Sequence, residues 1–243
     1  GKSTMLLVPG IGPYVLLGAV ATTLELPPSP PSKKSCGGCT RCIAACPTGA
    51  LSQDGSSLDA RLCISYHTIE NRGAIPVELR ERMGAWIFGC DACLDSCPVG
   101  RGATASHPDF RPQREDEATP ELAPLLGLNE DAFRERYRGR AVTRAKRDGF
   151  VRNVCLALGN VGTASDIGAL STTLHSDSSP LVRSHAAWAL GRIGERLRVT
   201  PSLGGEIAHT LAQAITSDPD AETRREATGA LERLKEYLNA DHR

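Results

Sequence analysis

The cysteines offer the plainest chemistry in this sequence. Cys36-x2-Cys39-x2-Cys42-x3-Cys46-Pro47 is a run in which three closely spaced thiolates hold three corners of one cubane 4Fe-4S cluster and the fourth cysteine serves a second cluster. Further on, Cys90-x2-Cys93-x3-Cys97-Pro98 repeats the last three members at the same spacing, with Ile87 where the first cysteine would stand. Cys63, between the two motifs, is the available replacement, and eight thiols then make two sets of four. The crossover between motifs assigns Cys36, Cys39, Cys42 and Cys97 to one cluster and Cys46, Cys63, Cys90 and Cys93 to the other. Such clusters move single electrons, and two in one small module suggest a relay from a surface donor to a buried acceptor.

Two other uses of clustered cysteines fit the spacing less well. Zinc takes Cys-x2-Cys pairs from separate loops and has no need of a third cysteine three residues on, or of Cys-Pro closing both motifs. A disulfide framework requires an oxidising compartment and does not favour such crowding. The ninth cysteine, Cys155, lies in the apolar helical run Val154 to Leu158 and reads as a small buried hydrophobe.

The elements that must carry these residues follow from the rest of the chain. Its 243 residues hold 28 Lys+Arg against 28 Asp+Glu, so no global charge drives it to nucleic acid or membrane. Aromatics make up only 4%, which speaks against a large β-sandwich and for a helical chain. Beyond the cysteines, Val151-Arg152 recurs as Val182-Arg183 and Ala157 to Gly162 recurs as Ala189 to Gly194, at an offset of about 31 residues. A weaker third copy includes Thr223-Arg224 and Ala230 to Leu234, after an insertion around Glu195 to Gly204. This self-similarity marks a HEAT-like helical solenoid, with turns at Asp177 to Pro180 and Asp218 to Asp220.

Ahead of the first repeat, Phe133 to Asn153 concentrates arginine and lysine in an otherwise neutral protein. Arg144, Lys146, Arg147 and Arg152 are the candidate contacts to a polyanion such as RNA, against the plainer reading of a solvated helix face. At the start of the chain, Met5 to Leu24 is uncharged and long enough for a membrane span. Lys2, the apolar stretch and Ala19-Val20-Ala21 also mimic a signal peptide. Pro9, Gly10, Gly12, Pro13 and Gly18 interrupt the run, favouring two short buried strands, Met5 to Val8 and Tyr14 to Val20, at the end of a preceding α/β domain. The expected fold class is α+β multidomain. Residues 1–34 form the tail of an α/β domain and a linker, 35–110 a ferredoxin-like double 4Fe-4S module, and 111–243 an all-α HEAT-like domain.

Gly1-Lys2-Ser3-Thr4, the stretch from Cys36 to Ala50, Asp59 to Tyr66, Ile87-Phe88-Gly89-Cys90-Asp91 and Arg144 to Asn160 together resemble epoxyqueuosine reductase, in matching order over nearly the whole chain. The resemblance implies a cytoplasmic, monomeric oxidoreductase that reduces epoxyqueuosine to queuosine at the wobble position of certain tRNAs, using cobalamin fed by two 4Fe-4S clusters and an electron donor protein. It implies cobalamin contacts near Ser3, Ser65, Cys90 and Asp91, and places most of the cobalamin-binding domain, with an acidic proton donor, ahead of Gly1. The sequence departs from the family pattern at His67, Val99-Gly100 and Gly139-Arg140. A reductive-dehalogenase-like enzyme would bring an export signal and no HEAT-like tail. A plain two-cluster electron carrier would need neither the basic patch nor the solenoid.

Overall fold

The computed structural model describes every residue except 32–34, 101–113, 198 and 241–243. Four short helices come first: α1 (Arg41–Ala45), α2 (Ile64–Ile69), α3 (Val77–Arg80) and α4 (Ala92–Asp95). Then follow α5 (Ala123–Leu126), α6 (Glu130–Arg136), α7 (Lys146–Val161), α8 (Ile167–Ser176), α9 (Pro180–Arg196), α10 (Pro201–Ser217) and α11 (Ala221–Ala240). The described residues contain no β-strand, only the isolated bridges Val8 to Gly12 and Leu51 to Leu58. None of their helices is long and apolar enough to cross a membrane.

The chain divides into two compact units, one of residues 1–63 and 90–113 and the other of residues 64–89 and 114–243. These units cut across the contiguous span 35–110, because residues 64–89, between Cys63 and Cys90, fold with the helices. The expected boundary at 110 falls outside the described residues.

In the first unit, α1 and α4 are the short helical turns of the two cysteine motifs. Cys46 closes α1 with φ −70° and ψ 114°, the extended conformation that a following proline imposes, and Pro47 has no N–H with which to continue the helix. The two expected strands are absent. Leu16, Leu17 and Val20 are 80, 77 and 91% exposed, and the segment takes part in no regular secondary structure. A strand is stable only against a neighbouring strand, and none of the described residues supplies one.

The second unit is the repeat. Pro180 and Pro201 begin α9 and α10 where a missing N–H costs nothing. The Asp turns recur with the same bond: Arg183 donates to the carbonyl of Asp177 at 2.9 Å, and Arg224 to that of Asp218 at 2.6 Å. Helix α7 packs on α9, and α9 on α11. The crossing of α9 with α11 is so close that a Cβ at Gly191 would lie 2.8 Å from the Cβ of Ala230. α7 is buried on nearly all sides from Gly149 to Gly159, because α9 covers one flank and the 64–89 segment another. Cys155 is fully buried in this core, as a small hydrophobe should be.

That segment is seated by polar groups. Ile75, Leu79 and Met83 are buried, Ile75 N–H donates to Nε2 of His185 at 3.2 Å, and Arg80 forms a two-pronged pair with Glu226 at 2.6 and 2.9 Å. Arg80 also lies over the Trp188 ring at 5.7 Å.

Candidate functional site

All nine cysteines are free thiols, and the eight of the two motifs and Cys63 are half-buried. Cys36, Cys39, Cys42 and Cys97 line one cavity of about 240 Å³, together with Lys2, Ser3 and Arg41. Cys46, Cys63, Cys90 and Cys93 form a second group, seen in their mutual electrostatics. Burial, then the neighbouring thiolates of Cys90, Cys46 and Cys63, push Cys93 up to about 11. Cys90 is raised by burial and by Cys63 and Cys46, and Cys42 by burial and by Cys36 and Cys39. Each group takes members from both motifs.

Among the described residues, no three His, Cys, Asp or Glu side chains converge as a single metal ion would require. The thiols of Cys36, Cys39, Cys42 and Cys97 surround a space instead, an arrangement suited to a multi-iron cubane. Burial and crowding favour the protonated thiols of Cys42, Cys90 and Cys93 until a cation displaces the protons. Cys46 is the exception: burial raises its pKa, but the Thr48 hydroxyl and the N–H groups of Ala50, Thr48 and Gly49 outweigh that and lower it. The Ala50 N–H lies 3.3 Å from the Cys46 sulfur. Thr48 had no motif to mark it; only its place two residues after a Cys-Pro cysteine could have drawn attention. At the other group, Lys2 donates to the carbonyl of Gly37 at 3.0 Å, which sets an ammonium beside Cys36 and Cys39.

The residues expected near cobalamin are distributed. Ser3 is buried at the rim of the first cavity. Cys90 and Asp91 belong to the second group's motif, with the Asp91 carboxyl raised by burial and by Asp95. Ser65 lies in α2, in the helical unit.

The basic patch separates into two kinds of residue. Arg144 and Lys146 are exposed, Arg144 pairing with Glu70. Lys146 enters α7 at φ 60° and ψ 162°, a conformation that L-residues rarely adopt. Arg147 and Arg152 do not face solvent, contrary to the expectation that they contact RNA. Arg147 is 8% exposed and is held by Asp177 and by the carbonyl of Leu128 at 2.7 Å. Arg152 is fully buried and donates to the carbonyls of His67 and Gly73 at 2.6 Å and of Asn71 at 3.0 Å. Burial lowers its pKa to about 10, so it stays charged and bound to carbonyl dipoles. Helix periodicity alone could not show that a second segment covers this face. His67, one of the departures from the family pattern, is buried, and its Nδ1 lies 3.1 Å from the Asn71 amide nitrogen.

Residues 35–100 match the family of 4Fe-4S double cluster binding domains, and residues 174–241 match HEAT repeats. The chain is 36% identical to an epoxyqueuosine reductase of Bacillus cereus, over 96% of this chain and 59% of that protein. It is 34% identical to an uncharacterised protein of Geobacillus stearothermophilus from the gldA 3′ region, over 92% of this chain and 99% of that one. Among solved structures it superposes on epoxyqueuosine reductase from Bacillus subtilis with a TM-score of 0.87 and 34% identity, covering 96% of this chain and 60% of that one. A crystal structure of epoxyqueuosine reductase with an epoxyqueuosine-modified tRNA-Tyr stem loop gives 0.76 at 34% identity, over 86% of this chain and 53% of that one. The chain thus spans about three fifths of the length of the reductases it matches. With both of its domain matches in order and this identity along nearly its whole length, the chain is homologous to epoxyqueuosine reductases over the part of their length that it spans.

Proposed function

We propose that this chain is the electron-relaying and tRNA-binding part of an enzyme that reduces epoxyqueuosine to queuosine in tRNA. The observation that carries the reading is the sorting of eight half-buried thiols into two groups of four, each drawn from both motifs. Cys36, Cys39, Cys42 and Cys97 hold one 4Fe-4S cluster, and Cys46, Cys63, Cys90 and Cys93 hold the other. When bound, the clusters supply single electrons, and a cobalamin near Ser3, Ser65, Cys90 and Asp91 supplies a strongly reducing metal centre.

Conversion of the epoxide to an alkene consumes two electrons and two protons and releases the oxygen as water. The chain's residues prepare for this in three ways. Thr48 and the Ala50 N–H favour the thiolate of Cys46. Lys2 and Arg41 offset negative charge at the first cavity. Arg144 and Lys146 meet RNA phosphates. The exposed apolar segment from Tyr14 to Leu24 supports a further α/β domain ahead of Gly1 that carries the rest of the cobalamin site and the acidic proton donor. The reading also makes the enzyme a cytoplasmic monomer served by an electron donor protein.

The test is conversion of epoxyqueuosine in tRNA by anaerobic protein. Residues 1–243 with added cobalamin should bind tRNA but not turn over, and protein extended by the upstream codons of the native gene should. A missing positioned acid costs about a hundredfold to ten-thousandfold by itself. Full conversion by residues 1–243 would place the active site wrongly, and inactivity of the extended, fully loaded protein would reject the function.

A further inference from the structure

The chain leaves the cysteine module directly after Cys63 and returns to it at Cys90, passing residues 64–89 through the helical unit. Both cysteines belong to the same group of four. Whatever ties the ends of this excursion therefore governs where two ligands of one cluster begin.

Thr68 makes that tie. Its hydroxyl donates to the carbonyl of Ile64, the residue after Cys63, at 2.9 Å, and accepts from the N–H of Gly89, the residue before Cys90, also at 2.9 Å. Thr68 is fully buried, so neither bond can be replaced by water. Gly89 has φ 74°, a turn open to glycine and costly for other residues.

Asn153 of α7 grips the same junction from the helical side. Its amide donates to the carbonyl of Thr68 at 2.8 Å and to that of Ile87 at 2.9 Å, one near each end of the excursion. Its side-chain oxygen accepts from Arg152 at 2.9 and 3.1 Å, which fixes the amide's orientation. Asn160, two turns further along α7, uses the same chemistry on the middle of the excursion, donating to the carbonyls of Arg80 at 2.7 Å and Gly84 at 3.0 Å. The two asparagines differ in where they hold the loop. Seating it on the helices requires only a grip of the second kind.

We infer that Thr68 and Asn153 are positioning residues for the cluster of Cys46, Cys63, Cys90 and Cys93, clamping the two chain crossings so that Cys63 and Cys90 are presented as a preformed pair. The inference rests on the cluster assignment proposed above. Partners in the outer shell of metal ligands typically change metal retention by about ten- to a hundredfold when removed.

The test uses the anaerobic, iron-loaded chain, following iron release to a chelator together with the EPR spectrum of the reduced protein. Cys39→Ser and Cys63→Ser identify the signal of each cluster. Thr68→Val and Asn153→Ala should speed the loss of the cluster missing from Cys63→Ser by about ten- to a hundredfold and leave the other at the parent rate. Asn160→Ala should leave both at the parent rate. Equal acceleration of both clusters, no acceleration, or an Asn160→Ala effect as large as that of Asn153→Ala overturns the inference. Should Asn153→Ala not fold, Thr68→Val with unchanged helical circular dichroism decides alone. A parent chain that never holds two clusters rejects the cluster assignment itself, which separates that failure from failure of the clamp.

Discussion

The two units solve the problem of stability in opposite ways. The helical unit encloses a continuous apolar core, from Leu125 and Phe133 through α7 and α9 to Leu234, closed by ion pairs such as Arg183 with Asp218. The cysteine module buries only Ala50, Leu51 and Leu94 among its described hydrophobic residues. Its centre is occupied by half-buried thiols. So little apolar burial cannot offset the chain entropy of ordering the module, and the ligand must supply the balance. One unit is folded by its sequence, and the other is folded by what its sequence binds.

Iron removal is the harshest way to break that comparison. Chelation under reducing conditions should abolish amide-exchange protection around residues 36–63 and 90–97, while α7 to α11 keep theirs and the far-UV spectrum barely changes. Loss of both together would mean that the helical unit also depends on the clusters.

The converse experiment targets the helical core. Asp218→Ala leaves the buried Arg183 guanidinium without its carboxylate partner and should cost about 3–5 kcal/mol in urea denaturation, with iron content unchanged. An effect below about 1 kcal/mol would place that pair among ordinary surface bridges.

A smaller effect comes from His185. It is fully buried, with Nε2 accepting from Ile75 N–H and Nδ1 lying 2.7 Å from the Leu181 carbonyl, so one neutral tautomer satisfies both partners. Burial first, then the charges of Arg80 and Arg152, hold its pKa well below the usual histidine value. The unfolded chain takes up a proton below about pH 6.5 and the folded chain does not. The stability due to this group is therefore complete above that pH and is lost below it, by up to about 1.4 kcal/mol per pH unit. His185→Gln should flatten that slope, and an unchanged slope would assign it elsewhere.

The smallest expected effect concerns RNA. Arg144→Ala with Lys146→Ala should lower the slope of log affinity for tRNA against log salt by at most about 1.4–1.8, since each phosphate contact contributes about 0.7–0.9. Identical slopes would return both residues to the role of a solvated face.

What was legible in the sequence follows the same division. Cysteine spacing is a local property, so Cys36 to Cys46 and Cys90 to Cys97 announce their chemistry without a fold. Recurrence of Val151-Arg152 as Val182-Arg183 announces the repeat for the same reason. Burial is not local. Arg147 and Arg152 look like surface cations until Asp177 and the carbonyls of residues 67–73 are brought against them. Tyr14 to Val20 has the composition of a strand, but pairing depends on residues elsewhere. The amide of Asn153 offered a fainter signal: a polar side chain that opens the apolar run Val154 to Leu158 must find partners.

The crossed pairing of the two motifs is the central claim, and Cys97→Ala tests it most directly. Anaerobic protein carrying this change should keep about four of eight irons, and Mössbauer and EPR spectra should match those of Cys39→Ala and not those of Cys63→Ala. The opposite match, with loss of the cluster that Cys97 neighbours in sequence, would contradict the account.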